Sequence, residues 1–76
     1  MSVDLQYERE LGAHLRELRK AREMTQEDVA AKFQLEGCNV SRSALAKIEV
    51  AQRHVYPDEL KIFCKIFQIT YDELFV

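Results

Sequence analysis

Apolar side chains recur at every third or fourth position through most of this chain, which is the period of an α-helix that buries one face. The spacing is clearest in two stretches, at Tyr7, Leu11, Leu15 and Leu18, and at Leu60, Phe63, Cys64 and Phe67. No stretch alternates apolar and polar residues as a half-buried strand does. The pattern predicts helices at about residues 7–22, 25–36, 41–50, 57–67 and 70–75, and therefore an all-α fold, a compact five-helix bundle.

Residues that start and stop helices support these boundaries. Thr25, with an acidic residue three positions later, predicts a capping box at the start of the second helix. Gly37 is a natural stop for that helix, and Ser41 is the expected N-cap of the third. Pro57 suits the first turn of the fourth helix, and Thr70 is placed to cap the last one.

The length and composition indicate one small domain. The chain has 76 residues, and its apolar fraction of 47% excludes a disordered protein. The N-terminus lacks the features of a signal peptide, and no apolar run reaches the ~18–20 residues that span a bilayer, so we expect a cytoplasmic protein without a membrane segment. Cys38 and Cys64 are far apart in sequence and are expected to be reduced thiols, with no metal or other cofactor.

The net charge of −2 at pH 7 mildly disfavours nucleic-acid binding, because such affinity comes largely from neutralised phosphates. The charges are unevenly distributed, however. Residues 16–53 carry eight basic and six acidic side chains, whereas the segments on either side are each net negative. The positive excess therefore lies in the segment that contains the two central predicted helices.

These two central helices have the layout of a helix-turn-helix, in which one helix contacts the DNA backbone and the next enters the major groove. In the helix at 41–50, Ala44, Leu45 and Ile48 cluster on one side at about 100° per residue. Small and basic side chains cluster on the other side. This arrangement predicts a helix that is packed on one face and presents the other to DNA.

The order and spacing of short motifs then point to a family. The motifs are Leu15-x-x-Leu-Arg19, Thr25-Gln26-x-x-Val-Ala30, Ser41-x-Ser43-x-Leu45-x-x-Ile48-Glu49, Leu60-x-x-Phe63-Cys64-x-x-Phe67 and Asp72-Glu-Leu74. Across residues 8–75 the chain resembles the Cro/phage-repressor (Xre-type) helix-turn-helix family, the lambda-repressor-like DNA-binding domain. The resemblance implies a bundle of this type that binds double-stranded DNA.

The resemblance also implies residue roles. The base-reading positions of the family match Arg42, Ser43, Ala46 and Lys47. The Arg42 guanidinium can donate two hydrogen bonds to guanine, the Ser43 hydroxyl can bond several bases, and Ala46 can contact a thymine methyl group. Lys47 can reach either a base or a phosphate. In the family, a glutamine at the start of the second helix bonds a DNA phosphate, and Gln26 matches this position. A family ion pair that bridges the first and third helices matches Arg19 and Glu49.

Two loop residues are further candidates for the DNA backbone, Asn39 before the third helix and Arg53 after it, whereas His54 is expected to be a solvated loop residue. The chain also departs from the family in two places. The connection at 34–40 is about five residues longer than usual, and a longer second helix that ends at Gly37 would absorb much of this length. Gln68 stands where the family often has a glycine after the fourth helix, so that helix must end without one.

Several apolar residues near the C-terminus exceed what one small core needs. They are Ile62, Ile66, Tyr71, Phe75 and Val76. They are either ordinary core and scattered surface residues or a self-complementary patch for a homodimer. A two-fold dimer would present two recognition helices about 34 Å apart and would bind a near-palindrome.

Two functions remain open. The first is a sequence-specific transcriptional regulator that binds an operator as a homodimer and, by family habit, acts as a repressor. The alternative is a protein-interaction module, such as an antitoxin-like or regulator-binding partner, which the negative net charge favours slightly. Catalysis is not expected, because His14 and His54 have no suitably spaced partner for a nucleophile or a metal site, and no glycine-rich phosphate loop is present.

Overall fold

The computed structural model describes residues 5–75, and these residues form five α-helices without a strand. The helices are α1 (Leu5–Ala21), α2 (Gln26–Leu35), α3 (Arg42–Glu49), α4 (Pro57–Phe67) and α5 (Tyr71–Leu74). The predicted all-α, compact five-helix fold is therefore confirmed. Most of the small differences in boundaries arise because the predicted ranges include the capping residues; α1 is also already helical at Leu5, before the predicted start at residue 7.

The predicted N-caps form local hydrogen bonds that fix where three helices begin. The Thr25 hydroxyl accepts from the backbone N–H of Asp28 at 3.0 Å, and the Asp28 carboxylate accepts from the N–H of Thr25 at 2.8 Å. These bonds lower the pKa of Asp28. Ser41 caps α3, and Thr70 caps α5 in a second capping box. Each bond satisfies an N–H group that has no partner within its own helix.

Each of the four longer helices is followed within two residues by a residue in the left-handed backbone conformation, and only one of these residues is glycine. The residues are Glu23, Gly37, Ala51 and Gln68, with φ of 54°, 76°, 61° and 56°. In each case the next backbone N–H bonds to the carbonyl five positions earlier, as in Cys38 to Phe33 at 3.0 Å. This is the Schellman closure, which satisfies carbonyls at the helix end and usually uses glycine.

The left-handed residue after α4 gives a stability prediction. Gln68 has φ 56° and ψ 50°, a conformation that costs a residue with a Cβ about 1 kcal/mol more than glycine. We expect Gln68→Gly to raise the free energy of unfolding by about 1 kcal/mol and the Tm by about 5 °C, measured by thermal and urea denaturation.

Gly37→Ala is the matched control, because a Cβ at Gly37 would have no neighbouring atom within 4 Å. Its effect therefore isolates backbone strain, and a loss of about 1 kcal/mol is expected. If both substitutions changed stability in the same direction, left-handed strain would not be the cause.

Every helix contributes apolar side chains to one core. The buried apolar residues are Leu11, Leu15, Val29, Phe33, Val40, Leu45, Ile48, Phe63, Phe67 and Leu74. Phe63 lies at its centre, edge-on to Phe33 with ring centroids 4.8 Å apart and stacked on Phe67 at 5.9 Å. This aromatic contact joins α2 to α4, so the first helix of the helix-turn-helix rests on the C-terminal half of the chain.

Helix α1 crosses the C-terminal end of α3 at Gly12, with almost no space between the two backbones. A Cβ at Gly12 would lie 2.5 Å from the carbonyl oxygen of Ile48 and 2.9 Å from that of Glu49. Glycine is therefore required here by close approach, although it lowers helix propensity. The contact fixes the position of the last turn of α3 against α1.

The long connection between α2 and α3 is partly absorbed by α2, as predicted. The helix continues to Leu35 and closes through Gly37, and Val40 then buries its side chain completely in the core. Leu35 stays 85% exposed at the end of the helix. Val40 thus anchors the connection immediately before the N-cap of α3, so the added length forms a protrusion beside α3 rather than a loose link.

The C-terminal apolar residues Phe75 and Ile62 line two different cavities. Phe75 stacks on Tyr7 with centroids 6.5 Å apart and lines a cavity that Leu60 also lines. Ile62 lines a different cavity; at about 100° per residue it lies on the flank of α4 opposite Leu60. Ile62 and Phe75 therefore lie beside separate cavities, and a dimer patch that includes both stays a prediction. Tyr71 is 49% exposed, Ile66 is partly buried, and Val76 lies outside the described residues.

Cys38 and Cys64 are free thiols, as predicted, and burial raises the pKa of both. Within residues 5–75, no group of acidic, histidine or cysteine side chains is arranged to hold a metal ion. No helix in the same range is long and apolar enough to cross a membrane.

Candidate nucleic-acid interface

Helix α3 buries one face and exposes the side on which the base-reading residues were placed. Leu45 and Ile48 are each 1% exposed and pack into the core. Ser43 and Lys47 are exposed on the opposite side, and Ala46 between them is partly exposed. The N-cap bond of Ser41 and the left-handed residue Ala51 limit the helix to eight residues. The outward side is therefore a short, rigid surface of small and basic groups.

Arg42 lies at the first turn of α3 and reaches toward the start of α2. Its Nη1 is 3.7 Å from Oε1 of Glu27, and both side chains are mostly exposed, at 65% and 74%. An exposed pair at this distance contributes little to stability and exchanges readily with other partners. Arg42 is therefore available to a base edge, although Glu27 places a negative charge on the same surface.

Arg19 and Glu49, the predicted pair, are brought together in a buried bidentate contact. Arg19 Nε and Nη2 donate to the two Glu49 carboxylate oxygens at 2.8 and 3.1 Å, and Nη1 donates to the Met24 carbonyl at 2.9 Å. The two side chains are only 11% and 2% exposed. The Glu49 hydrogen bond raises the pKa of Arg19. The contact joins α1 to the last residue of α3 and to the turn before α2.

Gln26 extends this cluster to the start of α2, which the sequence did not predict. Its Nε2 donates to Glu49 Oε1 at 3.1 Å. An amide NH₂ group has two hydrogens, so this bond orients the side chain and leaves one donor for an outside acceptor. A phosphate oxygen at the start of α2 would also meet the positive end of the helix dipole. Glu49 thus positions Gln26 as well as Arg19.

Arg53, predicted to contact a phosphate, has strong partners inside the protein. Its two terminal nitrogens donate to the two carboxylate oxygens of Glu59, each at 2.9 Å, and its guanidinium lies 5.7 Å from the centroid of the Tyr56 ring. Burial raises the pKa of Glu59, but the bonds from Arg53 and the Tyr56 N–H outweigh it and leave that pKa lowered. Arg53 therefore links the loop after α3 to the start of α4. Its contact with a DNA phosphate stays a prediction.

The other loop candidates differ in their surroundings. Asn39 is exposed just before α3, as a backbone contact requires. His54 is 62% exposed but not merely solvated, because its Nδ1 is hydrogen bonded to the Glu8 carboxylate of α1. His14 Nε2 donates to the Glu73 carbonyl at 2.7 Å and ties α1 to α5. Both histidines therefore make bonds between elements that are distant in sequence, which no local motif predicts.

The comparisons with known proteins agree with this geometry. The profile of the helix-turn-helix domain family matches residues 10–74, and the chain belongs to that family. The resemblance drawn from the motifs is thereby confirmed. No curated protein sequence matches the chain.

Two solved structures are similar to this one over most of its length. One is the restriction-modification controller protein C.AhdI from Aeromonas hydrophila, with a TM-score of 0.80 and 28% identity. The other is the DNA-binding domain of BldD, with a TM-score of 0.80 and 19% identity, which is a likeness of fold. Each alignment covers 97% of this chain and 100% of the other.

Proposed function

We propose that this protein is a transcriptional regulator that binds double-stranded DNA sequence-specifically, with α3 in the major groove. The observation that carries the proposal is the exposed side of α3, held rigid by a buried bidentate ion pair at its C-terminal end. An α-helix of ordinary diameter fits a B-form major groove about 12 Å wide. Membership of the helix-turn-helix family and the likeness to a controller protein support the same function.

The proposed contacts divide into base reading and backbone positioning. Arg42 would donate a fork of hydrogen bonds to guanine O6 and N7, Ser43 would bond a base edge, and Lys47 would bond a base edge or a phosphate. Ala46 would contact a thymine methyl group. The free hydrogen of the Gln26 amide would donate to a phosphate, with Asn39 and Arg53 as further backbone contacts.

We further propose that the protein acts as a homodimer and represses by occluding polymerase at an operator. Two copies related by a two-fold axis would place their α3 helices about 34 Å apart on one side of the DNA. Because Phe75 and Ile62 line different cavities, a dimer would use one of two apolar regions. These are the flank with Ile62 and Ile66, or the end with Tyr7 and Phe75.

Glu27 offers a test of the Arg42 contact. We expect Glu27→Gln to increase specific DNA affinity about five-fold, because it removes a negative charge from the DNA side and frees Arg42 from an exposed pair worth up to ~1 kcal/mol. Binding to the selected site is measured by fluorescence anisotropy. The control is Asp72→Asn, which removes an acid on α5 and should change affinity much less. A weaker complex with Glu27→Gln would show that Glu27 orients Arg42 for binding.

The function itself is tested by selecting bound sequences from random duplex DNA at two salt concentrations. Enrichment of a two-fold symmetric site, with affinity that falls steeply as salt rises, is the expected result. The other candidate, a protein-interaction module, draws support from exposed apolar residues such as Leu35 at 85% and from the negative net charge. If the protein is a protein-interaction module, no DNA sequence should be enriched. Its affinity for a protein partner should change little with salt, because salt does not screen the burial of apolar surface.

A further inference from the structure

An open trough of about 500 Å³ lies beside α3, on the side of α1. Its lining combines residues from three helices. They include Arg16 and Glu17 of α1, Gln26 of α2, and Ala46, Lys47 and Glu49 of α3, with Val50 just after α3. Three of these residues, Gln26, Ala46 and Lys47, are already proposed to contact DNA. Arg16 is the cation that α1 adds, and nothing in the sequence had singled it out for DNA.

The trough has one basic side chain on each of two walls. Arg16 on α1 and Lys47 on α3 line it together, and both side chains are exposed. Among the residues that the structure describes, no carboxylate lies within salt-bridge distance of Arg16. Glu17 opposes one of the two cations, and the charge of Glu49 is matched by Arg19. Counted together with Arg19 behind it, the lining carries one net positive charge in a protein whose net charge is −2.

The size of the major groove decides what this trough would face. A helix with its side chains is about 10–12 Å wide, and the groove is about 12 Å wide, so a helix that lies in it has a sugar–phosphate backbone along each flank. The trough is the flank of α3 on the side of α1. The backbone of one strand would therefore run along it, with phosphates facing cations and with deoxyribose facing the apolar surface of Val50, which is 61% exposed.

We infer that the trough between α1 and α3 holds the backbone of one DNA strand and that Arg16 is a phosphate contact there. This inference rests on the proposed function, which it extends from the helix-turn-helix to α1. Arg16 would contribute affinity that is independent of sequence, and it would fix the angle at which α3 enters the groove.

The experiment measures DNA affinity against salt for the wild type, Arg16→Gln and Lys61→Gln. Lys61 is an exposed lysine on α4 that lines a cavity with Ile62 rather than the trough, so its replacement removes the same charge elsewhere. If Arg16 contacts a phosphate, Arg16→Gln should reduce the slope of log K against log salt by about 0.9, whereas Lys61→Gln should change it little. Affinity for the selected site and for unrelated duplexes should fall by a similar factor, on the order of five-fold.

A second measurement locates the contact on the DNA. Single phosphates of the selected site are replaced by neutral methylphosphonates, and one of them should weaken the wild type while leaving Arg16→Gln unaffected. Because Arg16 is exposed, its replacement should not alter folding, which circular dichroism checks. Equal salt slopes for the two variants would overturn the inference while DNA binding stands. A folded wild type that binds no duplex at low salt would overturn the proposed function and this inference with it.

Discussion

Replacing Gly12 by alanine is expected to destabilise the protein by about 3 kcal/mol, the upper range for a forced contact in a packed interior. The added Cβ would lie 2.5 Å and 2.9 Å from two backbone carbonyl oxygens of α3, and backbone cannot rotate away as a side chain can. For a domain of this size the Tm should fall by roughly 15 °C. Helix propensity alone predicts the opposite sign, a gain of about 1 kcal/mol.

Ala13→Gly is the control, since it exchanges the same two residue types at an exposed neighbouring position of α1. It should lower stability by about 1 kcal/mol through propensity alone. Both variants are measured by thermal and urea denaturation. At a temperature where Gly12→Ala remains folded, its DNA affinity should be at least ten-fold weaker, because relief of the clash must move the last turn of α3. A Gly12→Ala protein as stable as the wild type would contradict the observed approach of the two helices.

Replacing Arg19 by alanine is expected to destabilise the protein by about 3 kcal/mol, the usual cost of leaving one partner of a buried pair without the other. Glu49 would lose two hydrogen bonds and the Met24 carbonyl would lose one. DNA affinity should also fall, because Glu49 would no longer be held where it orients the Gln26 amide. Unchanged thermal stability together with unchanged affinity would contradict the role given to this pair.

Two further variants separate stability from orientation. Arg19→Met combined with Glu49→Leu removes both charges and should recover much of the lost stability. Its DNA affinity should stay low, since Gln26 has lost its acceptor. Glu59→Ala also breaks a bidentate contact between an arginine and a nearly buried glutamate, but at the start of α4. It should lower stability by a similar amount and affect DNA affinity less than Arg19→Ala does.

The sequence predicted the helices well because their signals are local. The Thr25 capping box, the Ser41 cap and the Pro57 start each act within one turn of the backbone, so they read the same in the sequence and in the structure. The buried face of α3 also follows from spacing alone. The sequence also showed that Gln68 replaces the usual glycine after α4. It did not show that Gln68 itself adopts the left-handed conformation, because the rest of the fold must offset the strain of that conformation.

The sequence predicted which residues form the candidate site. Apart from the Arg19–Glu49 pair, it did not predict the contacts that these residues make. Arg42, Ser43 and Lys47 lie on the exposed side of α3, but the Glu27 partner of Arg42 comes from another helix. The bond between Gln26 and Glu49 joins residues 23 positions apart. The pairing of Arg53 with Glu59 adds a link within the protein to a residue whose phosphate contact stays a prediction. Each of these contacts depends on helix orientation, which no motif encodes.

The amino-acid sequence by itself determined five helices, their faces and their caps, because these depend on interactions within a few residues of one another. The tertiary structure alone decided the rest. It decided that α1 crosses α3 at Gly12 with no room for a Cβ, and that Glu49 holds Gln26 in addition to its predicted partner Arg19. It also decided that Arg16 lines the same trough as Lys47. These facts come from packing between helices, where close approach and burial fix distances that sequence spacing leaves free.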